Sequence, residues 1–477
     1  MIIDAARLAP LRRESAGRAA LAEAAFIEWL EKRLGAAFVL DRRDIPFGRE
    51  DLTEPLLLGS ALAEAGVVEI CEPVEMPPDE PRLALWRARY ALGRAPASGV
   101  APAGADAQAL TAALAEALER HLWVGTDDWF DNPRHASIRE MGCAGTAHIP
   151  PACFASFTDT ERRADQKRAL NHDTPFLWID GVSLASGRAI ALPAQTASGL
   201  RSLTEHEPLI RARNTTGLAT GPSRDRARLA GLLECIERDA WMTLWWNQLT
   251  LPRLDLAPLS AHNPALATLL AVGARYRLDI HAVPMPTDAP THAVLVVVED
   301  ESGHAPRFAT GLAAHRSLAR AVEKALLEAL RAREVLRRRS GTLAETASPK
   351  GGDLVHGEHG LYFARPEHAA KLAFLIAGPI REQMPSPWED DTDAAHLARI
   401  LVWCREGGLE CVAFPLTRSK RNPTALHVEF VVMPALNPMH LDERERMTGG
   451  ARWRTVPEKL GLAGRTEPFT AEPHPFD

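Results

Sequence analysis

The sequence predicts an α+β fold, and three observations lead to that prediction. Strand-like runs and long amphipathic helices follow one another through most of the chain. The 477 residues are 46% hydrophobic and 25% charged, which is a globular composition with enough apolar residues for a large core. A short pattern with an acid inside an apolar stretch recurs in three predicted helices, which indicates internally related parts.

The first 80 residues are expected to form a mainly helical N-terminal region. Apolar periodicity predicts amphipathic helices at 19–35 and 54–66. The proline-rich stretch "EPVEMPPDEP" (72–81) then interrupts regular structure. A boundary near this stretch separates region 1–80 from a larger domain, 81–477.

The larger domain is expected to mix strands with four long helices. The predicted helices are 106–123, 224–246, 318–339 and about 392–407. The predicted strands are "RLALWRARYAL", "FLWIDGVSL", "RAIALPA", "LDIHAVPM", "HAVLVVVED", "LECVAFPL" and "ALHVEFVVMP".

Composition argues against several classes of protein. The formal net charge is -7 and the basic residues are scattered, so no nucleic-acid partner is expected. Six cysteines lie far apart without a C-x-x-C pair, which disfavours a structural zinc site or a disulfide framework and favours the reducing cytoplasm. The N-terminus lacks the apolar core of a signal peptide, and the strongly apolar run 293–299 is too short to span a bilayer, so no membrane association is expected.

The recurring pattern is Leu-x-Glu-x-(Leu or Ile), centred on Glu116, Glu234 and Glu328. An ionised carboxylate inside an apolar stripe is costly unless a cation or hydrogen bonds meet it. A single pattern of this kind usually marks the edge of a helix. Its recurrence favours helices that each contribute an acid to a shared centre.

Two copies continue as E-x-x-E-R, which adds Glu119 with Arg120 and Glu237 with Arg238. Residues three apart share a helix face, so up to five carboxylates would crowd together if the helices converge. Their repulsion would raise their pKa values unless cations neutralise them. Mg²⁺ prefers oxygen ligands and is commonly held by carboxylates with substrate phosphates. The pattern therefore predicts a magnesium–nucleotide site, although the chain has neither a P-loop nor a Rossmann fingerprint.

The stretch "NTTGLATGPSRDRARLAGLLECIERDA" (214–240) resembles the signature of the YcaO superfamily, and 106–121 resembles its earlier E-x-x-E-R helix. Segments 177–195, 308–333 and 414–440 and the terminal "EPHPFD" follow in the order of that family. The resemblance covers roughly residue 80 to the end.

The resemblance implies internally related halves around an ATP site at which helix glutamates bind Mg²⁺. The residues that would hold the metal are Glu116, Glu119, Glu234, Glu237 and Glu328. Arginines that would bind ATP or act structurally are Arg120, Arg238 and Arg333. For Arg120, an intrahelical salt bridge is as reasonable as a phosphate contact.

The chain departs from the family pattern at several nucleotide-site positions, among them Pro222-Ser223 in place of Asn-Thr. Ala112 and Ala230 stand where many relatives have serine, Arg226 stands in place of an acid, and Arg331 replaces a glutamine. The main acids remain, but polar nucleotide contacts are lost. Either the ATP pose differs or activity is weak or lost.

The likeness is strongest to azoline-forming cyclodehydratases. In these enzymes a Cys, Ser or Thr side chain of a ribosomally made peptide attacks the preceding amide carbonyl. The oxyanion takes the γ-phosphoryl group of ATP, and loss of phosphate leaves a thiazoline or oxazoline. Two alternatives stay open: another backbone modification, such as thioamide or amidine formation, or a non-catalytic scaffold subunit of a peptide-modifying complex.

The resemblance also implies partners. These are a precursor peptide, a separate subunit that binds its leader, a flavin-dependent dehydrogenase that oxidises azolines, and a homodimer within a larger complex. Residues 1–80 show no clear peptide-binding winged helix, so the leader-binding function is expected on another chain.

The last residues, "EPHPFD", are expected to matter although chain ends are usually mobile and dispensable. Pro473 and Pro475 restrict the backbone toward an extended course. Azoline-forming relatives have a proline-rich end that reaches the active site, which implies a catalytic role for Pro473, Pro475 and Asp477. If desolvation raises its pKa, a carboxylate of Asp477 could act as general base. Deletion of 473–477 is expected to lower azoline formation with little loss of thermal stability.

Overall fold

The chain forms two compact units in the computed structural model, which describes residues 52–90, 92, 96–340, 351–382, 386–464 and 470–477. The first unit ends at Trp129 and also includes Thr417–Leu426; the second comprises Phe130–Leu416 and His427–Asp477. The predicted helix at 19–35 lies outside the described residues.

Thirteen α-helices are present in the described ranges. They are α1 (Thr53–Glu64), α2 (Asp106–Gly125), α3 (Ile138–Cys143), α4 (Asp159–Ala164), α5 (Arg201–His206), α6 (Arg224–Asn247), α7 (Leu256–Ala261), α8 (Pro264–Arg275), α9 (Leu318–Ser340), α10 (His359–Ala364), α11 (Pro366–Ala369), α12 (Asp393–Glu406) and α13 (Arg452–Lys459).

Fourteen strands accompany these helices in the same ranges. They are β1 (Val68–Pro73), β2 (Leu83–Tyr90), β3 (Ala97–Pro102), β4 (Arg134–Ser137), β5 (Pro175–Ser183), β6 (Ala189–Pro193), β7 (Leu218–Gly221), β8 (Arg253–Leu254), β9 (Leu278–Pro284), β10 (His292–Asp300), β11 (Phe308–His315), β12 (Ile380–Arg381), β13 (Val412–Pro415) and β14 (His427–Val432). The predicted α+β class is confirmed, and so are the four long helices and the seven strands.

The first unit packs α2 on an antiparallel sheet of order β1-β2-β3. Helix α1 confirms the predicted helix at 54–66 and packs on α2. Strand β1 precedes the predicted boundary near residue 80 and pairs with β2, with Cys71 opposite Ala88. The division into regions 1–80 and 81–477 stays a prediction, and β1 extends the sheet of the first unit across it.

A six-stranded sheet of the second unit carries α6. Its order is β4-β5-β13-β14-β7, with β6 on β5, and α6 packs on β7 and β14. The Ser223 hydroxyl caps the start of α6 by accepting a hydrogen bond from the Arg226 N–H. The helix ends where Gln248 adopts a left-handed conformation, with φ of 51°.

A three-stranded antiparallel sheet of the second unit, in the order β11-β10-β9, carries α9. The run from Val294 to Val298 in β10 is fully buried, which explains why this strand reads as continuously apolar and not as alternating.

The core of the second unit is rich in aromatic side chains along the C-terminal half of α6. Trp241, Trp245 and Trp246 are each at most 1% exposed, and Trp241 and Trp245 stack with ring centroids 5.4 Å apart. Burial of such large side chains contributes strongly to hydrophobic stabilisation. Helix α6 is therefore anchored through its C-terminal half. Among the described residues, every helix is too short or too polar to cross a bilayer.

Candidate active site

Each glutamate of the recurring pattern accepts a hydrogen bond from the backbone of a preceding strand or turn. Glu116 Oε2 accepts from the Ser98 N–H at 2.8 Å in the first unit. In the second unit, Glu234 Oε2 accepts from the Gly217 N–H at 3.1 Å. Glu328 Oε2 accepts from the Leu312 N–H at 2.9 Å. One oxygen of each carboxylate is thereby held, which orients the other.

A sequence signal that the Leu-x-Glu-x-(Leu or Ile) pattern does not include precedes each acid. The segments are "SGVA" (98–101), "TGLA" (216–219) and "TGLA" (310–313). Their glycines lie 17 positions before the glutamates (116−99, 234−217 and 328−311). The internal repeat therefore includes a strand or turn as well as a helix.

The glycines permit close contact between backbones. A Cβ at Gly99 would lie 1.9 Å from the Ala109 carbonyl oxygen, and one at Gly311 would lie 2.2 Å from the Ala325 carbonyl oxygen. Gly217 has φ of +94° and would place a Cβ 2.0 Å from the Val431 carbonyl oxygen. A side chain at Gly99 or Gly311 would push the acid-bearing helix away from its hydrogen-bond donor, and one at Gly217 would collide with β14 and displace the donor itself.

Arg238 lies between two acids of α6. Its Nη2 is 3.7 Å from Glu234 Oε1 and its Nη1 is 3.4 Å from Glu237 Oε1. Burial raises the pKa of Glu237 to about 7; Glu328 and Glu234 act in the same direction, while Arg238 opposes them. The Glu237 carboxyl is therefore poorly hydrated and lies within electrostatic reach of acids of both helices.

Helix α9 contributes a lysine that the sequence analysis did not single out. Lys324 is solvent-accessible and lies four residues before Glu328, so the two side chains share a helix face. Desolvation lowers its pKa, Arg226 acts in the same direction, and Glu237 and Glu328 oppose both. Its i, i+4 spacing from Glu328 was the available sequence signal. We call Glu234, Glu237, Arg238, Lys324 and Glu328 the carboxylate cluster.

The donor set of the carboxylate cluster fits Mg²⁺. Its three carboxylates supply oxygen ligands on two helices that are anchored to strands, and Mg²⁺ prefers such ligands. A cation would offset the burial and the repulsion from Glu328 and Glu234 that together raise the pKa of Glu237.

Two substituted positions of the family pattern make contacts of their own. Arg226 Nε is 3.5 Å from Asp393 Oδ2, and Arg316 also pairs with Asp393. Arg331 Nη2 is 3.9 Å from Glu328 Oε1. Arg331 therefore adds a cation at the carboxylate cluster, whereas Arg226 is drawn toward α12.

Arg333 has structural contacts. Its side chain is 4% exposed, and its Nη2 donates to Asp300 Oδ2 at 2.6 Å. Its Nη1 donates to the Pro306 carbonyl oxygen at 3.2 Å. Of the two roles that the resemblance left open for Arg333, these contacts favour the structural one.

The first unit contains the earlier E-x-x-E-R helix. Arg120 Nη2 donates to Glu116 Oε1 at 2.7 Å and its Nε donates to the same oxygen at 3.0 Å. The intrahelical salt bridge considered for Arg120 is thus present. The metal-binding roles of Glu116 and Glu119 stay predictions.

The last eight residues, 470–477, pack against the rest of the second unit. Residues 473–476 are buried, including Pro473 and Pro475. Phe476 meets Trp241 edge to face with centroids 4.8 Å apart. Trp241 follows Glu237 by about one turn of α6, so Phe476 packs on the same helix that bears Glu237.

Asp477 is held by backbone donors. Its Oδ1 accepts from the N–H groups of Gly357 and His359 at 3.0 Å each, and its Oδ2 accepts from Gly360 at 3.2 Å. Burial alone would raise the pKa of Asp477, but His359 and these N–H groups outweigh burial and lower it. The raised pKa on which a general-base role depended is therefore absent from its side chain.

A family model described as YcaO cyclodehydratase, ATP- and Mg²⁺-binding, matches residues 103–437. An uncharacterised protein of Methanothermobacter thermautotrophicus is 26% identical over 270 residues, which are 56% of this chain and 66% of that protein.

Solved structures share the fold at low identity. A heterocyclase in complex with substrate and cofactor is similar with a TM-score of 0.69 and 19% identity, over 88% of this chain and 57% of that one. YcaO from Methanopyrus kandleri, bound with AMPPCP and Mg²⁺, is similar with a TM-score of 0.54 and 16% identity, over 87% of this chain and 91% of that one. A chain of the E. coli microcin synthetase McbBCD complex with pro-MccB17 bound is similar with a TM-score of 0.57 and 14% identity, over 85% of this chain and 96% of that one. This chain spans just over half of the heterocyclase chain and slightly less than two thirds of the Methanothermobacter thermautotrophicus protein.

The family match covers most of the chain, and the recurring glutamates Glu116, Glu234 and Glu328 all lie inside it. The chain belongs to the YcaO cyclodehydratase family.

Proposed function

We propose that this protein is an ATP-dependent peptide cyclodehydratase that converts Cys, Ser or Thr residues of a precursor peptide to thiazolines or oxazolines. The observation that carries the proposal is the carboxylate cluster. Its acids come from α6 and α9. A backbone N–H orients the carboxylates of Glu234 and Glu328, and the pKa of Glu237 is raised to about 7. Such a shifted group between opposing charges is typical of a functional site.

In this proposal Glu234, Glu237 and Glu328 hold Mg²⁺ in the second unit. Bound Mg²⁺ would supply neutralisation of charge on the phosphoryl group. Arg238 keeps two of the acids in place, and the ammonium group of Lys324 can bind a phosphate oxygen of ATP. Glu116, Glu119 and Arg120 are proposed to contribute as the family resemblance implies.

The proposed chemistry needs an amide oxygen in line with the γ-phosphate. The peptide nucleophile loses its proton and adds to the carbonyl carbon, and the oxyanion takes the γ-phosphoryl group as ADP leaves. Phosphate then departs with that oxygen while the amide nitrogen loses its proton and forms the C=N bond. Rigid positioning supplies most of the catalysis in phosphoryl transfer. Helix α6, which Trp241, Trp245 and Trp246 anchor in the core, suits that requirement.

We propose that Pro473, Pro475 and Asp477 contribute to catalysis because they place the end of the chain at the active site, and not because the Asp477 side chain transfers a proton. A carboxylate with a lowered pKa is a weak base near neutral pH, which disfavours proton transfer by the Asp477 side chain. The docking of Phe476 on Trp241 brings the segment to the helix that bears Glu234 and Glu237.

The proposed partners are a precursor peptide, a leader-binding subunit, a flavin-dependent azoline dehydrogenase and a second copy of the chain within a larger complex. The likeness to a microcin synthetase complex with pro-MccB17 bound supports the peptide and the multi-subunit setting.

The test is ATP hydrolysis that depends on the precursor peptide, measured with the leader-binding subunit present. Glu234→Gln and Glu328→Gln are each expected to lower the rate at least about 100-fold, since each removes a charged metal ligand. The matched control is Asp225→Asn, an exposed acid at the start of the same α6 helix, which should keep the parent rate.

Parent rates in both glutamine variants would exclude the metal assignment. Mass spectrometry of the peptide separates the alternatives, because each azoline costs one water whereas a thioamide exchanges oxygen for sulfur. A protein that supports modification by another subunit but never hydrolyses ATP would be a scaffold.

A further inference from the structure

A second group of titratable side chains surrounds the end of the chain in the second unit. We call it the histidine cluster; its members are His359, His440, Glu443, His474 and Asp477. His359 Nε2 lies 3.2 Å from Glu443 Oε1, and its Nδ1 lies 3.4 Å from Asp477 Oδ1. His440 Nε2 is 3.3 Å from the same Glu443 oxygen. All members except Asp477 are buried.

The composition of this cluster suits zinc, but its hydrogen bonds do not. His474 Nε2 donates to the His440 carbonyl oxygen at 2.6 Å, and its Nδ1 accepts from the Phe476 N–H at 3.2 Å. Both ring nitrogens of His474 are therefore engaged, and a metal ligand needs an available lone pair. A ligand role for His474 would require the end of the chain to leave its place.

A protonated His359 accounts for these distances better than a zinc ion does. A doubly protonated His359 can donate from Nε2 to Glu443 and face Asp477 with its Nδ1–H. Burial alone would lower the pKa of His359, but Asp477 and Glu443 outweigh burial and raise it to about 9. The charge of the imidazolium compensates two carboxylates that come from different segments.

The last residues of the chain, 470–477, are also held by contacts outside the histidine cluster. Lys371 Nζ pairs with Glu472 Oε2 at 2.7 Å, and Arg446 Nη2 donates to the Thr470 carbonyl oxygen at 2.6 Å. These bonds hold residues 470–472. Beyond them, the polar contacts of His474 and Asp477 are made with the histidine cluster and with the backbone around His359.

We propose that His359 and Glu443 are positioning residues that hold the 473–477 segment against α6 through one buried positive charge, so that docking of the segment depends on pH. The catalytic consequence of this inference rests on the proposed function, whereas the docking does not.

The groups around His359 come from two segments. They are Asp477 and His474 from the last residues and His440, Asp442, Glu443 and Arg446 from the loop before α13. Burial also lowers the pKa of His474 and of His440, so both are neutral near pH 7. His359 is therefore the group in this cluster that changes charge between neutral and alkaline pH.

The direction of the pH effect follows from the sign of the shift. A histidine whose pKa is raised on docking stabilises the docked state fully below its ordinary pKa of about 6.5. That contribution is lost as the pH rises through about 9. Docking of 473–477 is therefore strong near pH 6 and weaker at pH 9.5.

Hydrogen exchange of the amides in 470–477 measures docking without any need for activity. Corrected for the intrinsic exchange rate, protection in the parent protein should fall about tenfold or more between pH 6.5 and pH 9.5. His359→Gln cannot titrate, so its protection should be lower at pH 6.5 and independent of pH in this window. The matched control is Lys371→Met, which removes the Glu472 ion pair outside the histidine cluster; it should lower protection and keep the pH dependence.

Protection that does not change with pH in the parent protein would overturn the proposal. A stoichiometric zinc ion that is lost in His474→Ala would overturn it too, because the cluster would then be a metal site. If His359→Gln fails to fold, Asp477→Asn provides a second test, since it removes one carboxylate and should shift the midpoint of the pH dependence downward.

The proposed function fails in a different way from this inference. If pH-dependent docking is found but no variant or parent protein modifies a peptide, the positioning pair stands and the cyclodehydratase proposal falls. If the parent protein is active, His359→Gln should lower kcat for peptide modification more than it changes KM for ATP. An unchanged kcat with lost docking would remove the catalytic consequence.

Discussion

The carboxylate cluster and the histidine cluster lie in the same unit and answer the same physical problem in opposite ways. Both place acids in poorly hydrated surroundings. In the histidine cluster, Glu443 meets two imidazoles, which hold its pKa well below the usual range although burial opposes them. In the carboxylate cluster, burial and two neighbouring acids raise the pKa of Glu237 to about 7.

The opposite pKa shifts of Glu443 and Glu237 indicate which cluster would gain more stability from a bound cation. An acid with a lowered pKa already has its countercharge inside the protein and contributes stability. An acid with a raised pKa costs stability when ionised and gains it when a cation binds. The histidine cluster therefore fits a structural role, and the carboxylate cluster fits the proposed Mg²⁺ site.

The largest effect is expected for Glu443→Gln. Removing this charge leaves the His359 imidazolium with one carboxylate, and loss of one partner of a buried pair typically costs about 3–5 kcal/mol. Urea unfolding at pH 7 measures the change. Glu458→Gln, an exposed acid on α13, is the control and should change stability by less than about 0.5 kcal/mol. A loss for Glu443→Gln no larger than that of the control would remove the distinction between the clusters.

The opposite sign is expected for Glu237→Gln in the protein without ligand. The folded pKa of about 7 exceeds the unfolded value, so the parent protein loses stability as pH rises from about 4.5 to 7. The glutamine variant avoids this loss, which is at most about 3 kcal/mol at pH 8 and is reduced because Arg238 loses a partner. Urea unfolding should show a gain at pH 8 that disappears at pH 5. Equal destabilisation at both pH values would mean that the Glu237–Arg238 pair outweighs the crowding of acids.

The smallest effect concerns Mg²⁺ with a non-hydrolysable ATP analogue. Binding to the folded state alone should stabilise the parent protein by about 1–3 kcal/mol, a rise in Tm of a few degrees. The rise should be greater at pH 8 than at pH 6, because a proton on Glu237 competes with the metal. Glu237→Gln should abolish this pH difference and Glu443→Gln should keep it. A Tm shift lost in Glu443→Gln would place the cation at the other cluster.

The long helices could be predicted because their periodicity is a local property. Helix 224–246 was predicted and Arg224–Asn247 is observed, and the acid-bearing repeats were visible in the same way. The paired strand signal "TGLA" was equally local, and it would have shown that each acid is held by a backbone N–H. Arg333 could not be assigned from sequence, because its partner Asp300 lies 33 positions away in β10.

The sequence by itself determined the class of fold, the family and the glutamates that repeat along the chain, because each depends on residue types at short, regular spacings. Only the tertiary structure decided what their neighbours do. It brought Glu443 to His359 across 84 positions and docked Asp477 on the backbone of the same residue across 118. Tertiary packing also put Glu237 where acids of two helices meet. The pKa of a carboxyl group depends on burial and on charges within a few ångströms, and chain packing alone sets both.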